Sequence, residues 1–361
     1  MFQALRDTLP SNRWIRALLL IIVVGIVLTP WLFEGTRALD TAARLSIFIV
    51  LAASYDLLLG YTGVVSFAHA LFFGIGAYSV AIAFDQFAPG FGVMAMAILA
   101  GLSVSLVVAF VMGLVSLRVK TIFYAMITLA VASAATVLVS QFYHLTGGED
   151  GLTYRLPRVL TPAFRPFDDP LFGVRLTGKL FNFYTVIFVA ILLFLLMVRI
   201  VASPFGRVLK ALRENDFRAE AIGYNTLVYR TTATLLSAAF ATLAGVLMAI
   251  WLRYTGPDSV LSLDIMIDVL LMVVIGGMGT LYGAIIGATV LLLAQMYLQT
   301  LMGSTQDVLG GWPILANLFD PNRWLLWLGL LFIASVYFFP QGIVGRFSHP
   351  RATEAEAEVR T

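Results

Sequence analysis

Residues 203–225, SPFGRVLKALRENDFRAEAIGYN, form a polar, charged interval between two strongly apolar segments. Arg207, Lys210, Arg213 and Arg218 lie within it and Arg230 just beyond. In a membrane protein such a concentration of Lys and Arg places the interval on the cytoplasmic side. Pro204 suits a first helical position, residues 208–221 are rich in helix formers, and Gly223 can close the run. The interval therefore reads as a short helix lying at a membrane face.

The chain around it has 361 residues, 60% of them hydrophobic and only 12% charged, which excludes a soluble globule. Runs of about 20 apolar residues cross a bilayer as helices. Counting them gives an all-α membrane protein with about ten transmembrane helices, over 15–33, 42–59, 64–84, 91–117, 121–141, 181–202, 231–252, 264–277, 281–301 and 324–343. The run 264–277 is short and 64–84 is interrupted by glycines, so either is a candidate for a broken or re-entrant helix. The run 15–33 follows Arg6, Arg13 and Arg16 and lacks a small-residue cleavage site, which makes it a first spanning helix rather than a signal peptide.

With residues 203–230 inside, ten crossings put both the segment 1–14 and the polar tail 344–361 on the cytoplasmic side, enclosing a transmembrane domain over 15–343. Arg6, Arg13, Arg118, Lys120, Arg346 and Arg351 then all join the cytoplasmic charge. The segment 142–180 falls outside. Its Arg155, Arg158, Arg165, Arg175 and Lys179 are diluted by Glu149, Asp150, Asp168 and Asp169, and long translocated loops tolerate cations.

Several chemistries are excluded at this stage. Without cysteine there is no disulfide and no thiolate metal site, and His69, His144 and His349 lie far apart with no second ligand at four-residue spacing, so no metal is expected. No phosphate-cradling Gly-x-x-x-x-Gly-Lys motif occurs, nor a His-Glu-x-x-His or Gly-x-Ser-x-Gly signature, so no residue is assigned a catalytic role. The net charge of +3 is dispersed over loops, which argues against nucleic acid as a partner.

Residues 60–78, GYTGVVSFAHALFFGIGAY, are the second informative stretch. Gly60 and Gly63 are expected to make a tight turn, while Gly74 and Gly76 strip side chains from a helix that also buries Ser66 and His69. Such glycines serve close packing or an unwound, solute-lining backbone, and His69 is either a satisfied interior histidine or a solute contact. Asp56, near the inner end of the second helix, is expected to accept a hydrogen bond from the Gly60 to Gly63 turn, with proton relay as the other reading. Asp264 and Asp268 are placed either in an outer mouth or as a cap and a first-turn acid. Gly279, Gly283 and Gly287 recur every four residues and predict a flat packing face on the ninth helix, as Ser237, Ala241 and Gly245 do on the seventh.

The order Ser203, Gly206-Arg207, Arg213-Glu214, Glu220 and Gly223 resembles the coupling loop of ABC-importer permeases of the branched-chain amino acid class, LivM type. The stretch 60–78, the Thr-Gly-Gly turn at Thr146 and the segment IGGMGTLYGAIIGA at 275–288 extend the resemblance over about residues 40–345. It implies a type II importer fold, with two bundles of inverted topology around a pathway shared with a homologous second permease of the LivH type. It also implies two ATPase subunits that carry ATP and Mg, no cofactor on this chain, an extracytoplasmic solute-binding protein, and a bacterial inner membrane. The generic loop motif is headed by an acid where this chain has Phe217, so Glu214 and Glu220 are its nearest counterparts. Amino acids, branched-chain ones first, urea, short amides and aromatic acids are the cargo implied. A secondary transporter or channel acting alone is the competing class; it calls for midplane carboxylates, whereas the acids here sit near membrane edges.

Overall fold

Apolar runs of bilayer length become helices because a backbone at hydrocarbon depth has to satisfy its own N–H and C=O groups. The computed structural model describes residues 12–33, 35–115, 121–165, 177–308, 319–339 and 342–348. Expectations for residues 1–11, Arg118, Lys120, Asp168, Asp169, Arg175, His349 and the tail beyond residue 348 lie outside the described residues.

The helices in chain order are α1 (Arg13–Leu32), α2 (Thr36–Thr62), α3 (His69–Gln86), α4 (Phe91–Val115), α5 (Thr121–Gln141), α6 (Tyr143–Thr146), α7 (Gly178–Ala202), α8 (Pro204–Glu214), α9 (Asp216–Ala221), α10 (Thr226–Leu252), α11 (Pro257–Val260), α12 (Leu263–Gly276), α13 (Leu281–Val308), α14 (Trp324–Phe338) and α15 (Gly342–Ser348). Two short strands, β1 (Leu152–Thr153) and β2 (Tyr254–Thr255), pair antiparallel. Among the described residues, nine helical stretches are long and apolar enough to span a membrane. The 18-residue α3, more polar at its ends but buried along its length, accounts for the tenth expected run.

The core is built around α2, whose side chains are buried almost without interruption from Ala42 to Thr62. α10 packs against it, and α3 crosses α10 at close range. A Cβ on Gly76 of α3 would land on the Thr242 carbonyl of α10, and one on Gly245 of α10 would land on the Phe73 carbonyl of α3. The predicted face of Ser237, Ala241 and Gly245 is that seam, with Ser237 and Ala241 fully buried. Across the molecule, α1 and α5 are mostly exposed along their apolar length, as helices facing lipid or another subunit are.

α10 orients the two ends of the bundle. Its first residue follows the α8–α9 elbow, and its last leads into β2, which pairs with β1 from the segment after α5. Twenty-seven residues of helix separate these ends by about 40 Å.

Four expectations need correction. Residues 60–63 are not a turn: α2 continues through Gly60 and ends at Thr62, and only Gly63 takes the left-handed conformation, φ 72°, that closes it. The helix expected over 208–221 is two helices, because Asn215 is extended; it terminates α8 and its side chain accepts from Arg218 N to start α9. Gly279 does not belong to a helical face, since α13 begins at Leu281 and Gly279 sits in the preceding turn with φ 83°. At α12 the N-cap is Ser262; Asp264 is a first-turn acid, while Asp268 accepts from Gln295 Nε2 of α13 at 2.8 Å.

Candidate functional site

Three groups of residues that are separate in the sequence meet where α2 ends. Asp56, 1% exposed, accepts a hydrogen bond of 2.7 Å from Gly279 N rather than from residues 60–63. Gly60, one turn later, leaves room for this: a Cβ there would overlap the Asp56 carboxylate and the Gly279 backbone nitrogen. The Gly60 carbonyl in turn accepts from Arg213 Nη1 of α8. Lys210 stands 5.2 Å above the Tyr61 ring. Asp56 Oδ2 finds no hydrogen-bond donor among the described residues, and Arg213 and Lys210 are cations whose field reaches it. The end of α2, the 277–280 turn and α8 are thereby joined through one carboxylate, one guanidinium and two glycine backbones.

The elbow that supplies Arg213 is seated on one side and bare on the other. α8 buries Gly206, Val208, Leu209 and Leu212, and a Cβ on Gly206 would strike the Val201 backbone. Ser203 does not cap α8; its hydroxyl donates to Ile200 O at 2.6 Å. α9 is tied to the start of α10 by Arg230 to Asp216 at 2.5 Å and by Thr226 Oγ1 to Glu220 Oε1 at 2.5 Å. Glu220 is therefore engaged with α10, whereas Arg207 and Glu214 are exposed on α8 and Gly223, φ 100°, follows α9. The outward surface carries Phe217, 84% exposed, and Ile222, 72% exposed. Sequence reading noted Phe217 only as the wrong residue for an acid. The signal available was a pair of large apolar residues inside an otherwise polar loop.

Deeper in the bundle two helices are interrupted. Residues 63–68 are non-helical before α3, and residues 261–262 separate α11 from α12. Hydroxyls of α5 meet both breaks: Thr128 Oγ1 accepts from Phe67 N at 2.9 Å, and Thr136 Oγ1 donates to Leu261 O at 3.3 Å. Between them lies an open crevice of about 230 Å³ lined by Phe67, Ser133, Thr136, Ser262 and Met266 among others. Thr128 and Thr136, two helical turns apart on one face, were missed from the sequence; hydroxyls at eight-residue spacing in an apolar run are the signal that finds them.

Ser66 lies in the first break, 2% exposed, and its Oγ accepts from Ala68 N at 3.2 Å. His69 is fully buried behind it, with Nε2 3.2 Å from Ser54 Oγ and 3.1 Å from Ser237 Oγ, and its ring edge-on to Tyr55 at 4.9 Å. Neither Gly74 nor Gly76 lines the crevice; Gly74 accommodates Leu261 and Gly76 the α10 backbone. Gly283 and Gly287 bring α13 against Gly276 and Met272 of α12. The residues grouped as one pathway in the sequence thus divide among a junction, a polar core and two packing seams.

At the opposite end, exposed Arg155, Arg158 and Arg253 surround a shallow hollow of about 320 Å³ floored by buried Tyr154. Burial raises the Tyr154 phenol above its ordinary pKa, and its hydroxyl is held by Ala249 O at 2.8 Å and Thr255 Oγ1 at 3.0 Å. Lys179 stands 5.8 Å from the Trp251 ring instead of joining the arginines.

Residues 37–336 match the family described as branched-chain amino acid transport system, permease component. The chain is 27% identical over 331 residues to the high-affinity branched-chain amino acid transport system permease protein LivM of Salmonella typhimurium, covering 88% of this chain and 75% of the relative. It is 26% identical over 317 residues to the LivM protein of Escherichia coli, covering 84% and 74%, and 24% identical over 257 residues to a probable LivM of Methanocaldococcus jannaschii, covering 71% and 69%. No solved structure gives a significant match.

Proposed function

The chain belongs to the permease-component family of branched-chain amino acid transport systems, and from that premise we propose that it is the membrane-spanning half of an importer whose power stroke enters at the α8–α9 elbow. The observation that carries the reading is the exposed pair Phe217 and Ile222 on an elbow braced against α10 and joined through Arg213 to the end of α2. Large apolar side chains on a polar, rigid projection are docking groups. Two ATPase subunits, holding ATP and Mg, are the partners we assign to that surface; this chain binds no cofactor and performs no hydrolysis.

The solute path we assign to the crevice between the two helix breaks, with α5 facing a homologous permease of the LivH type. Interrupted helices take backbone groups out of the helical ladder, and here Phe67 N and Leu261 O are met by α5 hydroxyls beside the crevice. At about 230 Å³ the crevice is below the size of drug-like pockets, which suits a branched-chain or similar small amino acid with an apolar tail. A soluble binding protein would meet the arginine-rimmed hollow. The elbow is then cytoplasmic, both termini with it, in a bacterial inner membrane.

Two measurements test this. Phe217→Asp should abolish co-purification of the ATPase subunits and leucine uptake while membrane insertion is retained; unchanged co-purification removes the elbow from the docking surface. In intact cells a membrane-impermeant maleimide should label Glu149→Cys and spare Asn215→Cys, and equal labelling overturns the orientation.

A further inference from the structure

A crevice of about 510 Å³ runs along the inner side of α1, bounded by α2, α7 and the start of α13. It lies where α1, which precedes the family-matched residues, leans on the family's bundle. Tyr184 of α7 donates to Val27 O at 3.1 Å and its ring meets Trp31 at 6.0 Å, which fastens α1 at one end. Along the rest of the crevice the walls are apolar side chains such as Val23, Ile49, Ala190 and Ile191. Ser46 is turned back onto Ala42 O at 2.9 Å and offers the crevice nothing polar. Water needs two to four polar partners to be retained, so this space is not a water site.

Its dimensions identify the occupant. From Arg16 to Val27, both on its lining, α1 rises about 16 Å, close to the roughly 15 Å thickness of one leaflet's hydrocarbon. Spread over that length, about 510 Å³ describes a long, narrow crevice. A single extended acyl chain fits. Arg16 stands at the end shared with Tyr282, two residues past the 277–280 turn. Arg13 precedes it by one turn, and exposed Trp14 marks the level of the membrane interface.

We infer that this crevice binds one acyl chain of an anionic glycerophospholipid from the leaflet on the elbow side, with its phosphate beside Arg16. The lipid fills the crevice and makes α1 a fixed wall of the bundle.

Native mass spectrometry of the full chain, moved into a lipid-stripping detergent and supplied with phosphatidylglycerol or phosphatidylcholine, tests it. One phosphatidylglycerol should remain bound, at least about fivefold more than phosphatidylcholine, and should raise the melting temperature. Val23→Trp and Ile191→Trp, both at positions 38% exposed and so able to carry bulk, should fill the crevice and cut retention about tenfold with the fold intact by melting. Arg16→Gln should erase the headgroup preference and Arg16→Lys preserve it. Equal retention of the two lipids by the parent chain, or undiminished phosphatidylglycerol on both tryptophan variants, overturns the inference.

Discussion

Gly76 and Gly279 both stand where a side chain would collide with another segment, yet their neighbours differ in kind. At Gly76 the neighbour is the Thr242 backbone, and α3 and α10 touch along a continuous buried seam. At Gly279 the neighbours are the Arg213 guanidinium and the Gly60 carbonyl, with Asp56 on its N–H. Steric contact permits a single spacing and resists every departure from it. Hydrogen bonds to charged groups are directional and can be exchanged for other partners, although each is stronger than a neutral one and costly to leave unmade. The seam therefore belongs to the frame of the molecule, and the junction ties that frame to the elbow through polar contacts.

The steepest test of that contrast is Gly76→Leu. With no room even for a Cβ, the change should cost more than the usual overpacking penalty of about 1–3 kcal/mol and leave little folded protein in detergent. Gly25→Leu on α1, where nothing lies within 4 Å, is the control; equal melting temperatures would mean that the seam yields. Next in size, Arg213→Glu should reduce uptake by the assembled importer at least about tenfold, since it loses the Gly60 bond and sets a second carboxylate near Asp56. Melting should fall by only a few degrees, and a collapse as deep as that of Gly76→Leu would make the junction part of the frame. Gly283→Leu, where a Cβ would already meet the Gly276 carbonyl oxygen at 2.7 Å, should lower stability by at least about 1–3 kcal/mol, where Ile286→Leu, conserving volume at a position 3% exposed, leaves melting nearly unchanged. The smallest effect is expected of Thr128→Val, which leaves Phe67 N without its acceptor at a cost of about 1 kcal/mol, read as a slight drop in melting temperature.

The helices were legible because hydropathy reports on the bilayer residue by residue. The start of α8 at Pro204 was legible because proline restricts φ, whereas Gly63, read as part of a turn, closes α2. Asp56 was recognised as needing a partner, but the partner is 223 residues away, and no local pattern encodes that distance. Asn215 looked like one more polar residue in a helical run, although its capping side chain is what divides α8 from α9. The four-residue spacing of Gly279, Gly283 and Gly287 suggested one face, since spacing alone does not tell a helical glycine from one held at φ 83° in a turn. Thr128 and Thr136 act on breaks in other helices, and those breaks became visible only once the chain was folded.

The two-residue pairing of β1 with β2 gives α10 a clamp at the end remote from the elbow. α10 contains no proline, and the Tyr154 hydroxyl holds its last turn through Ala249 O. A rod fastened in this way stores little bending energy and passes a tilt at one end to the other almost undiminished. A rotation of the elbow by a few degrees would swing the strand pair through roughly 2–3 Å over the 40 Å of helix, the leverage by which events on one side of the membrane would be felt at the arginine-rimmed hollow on the other.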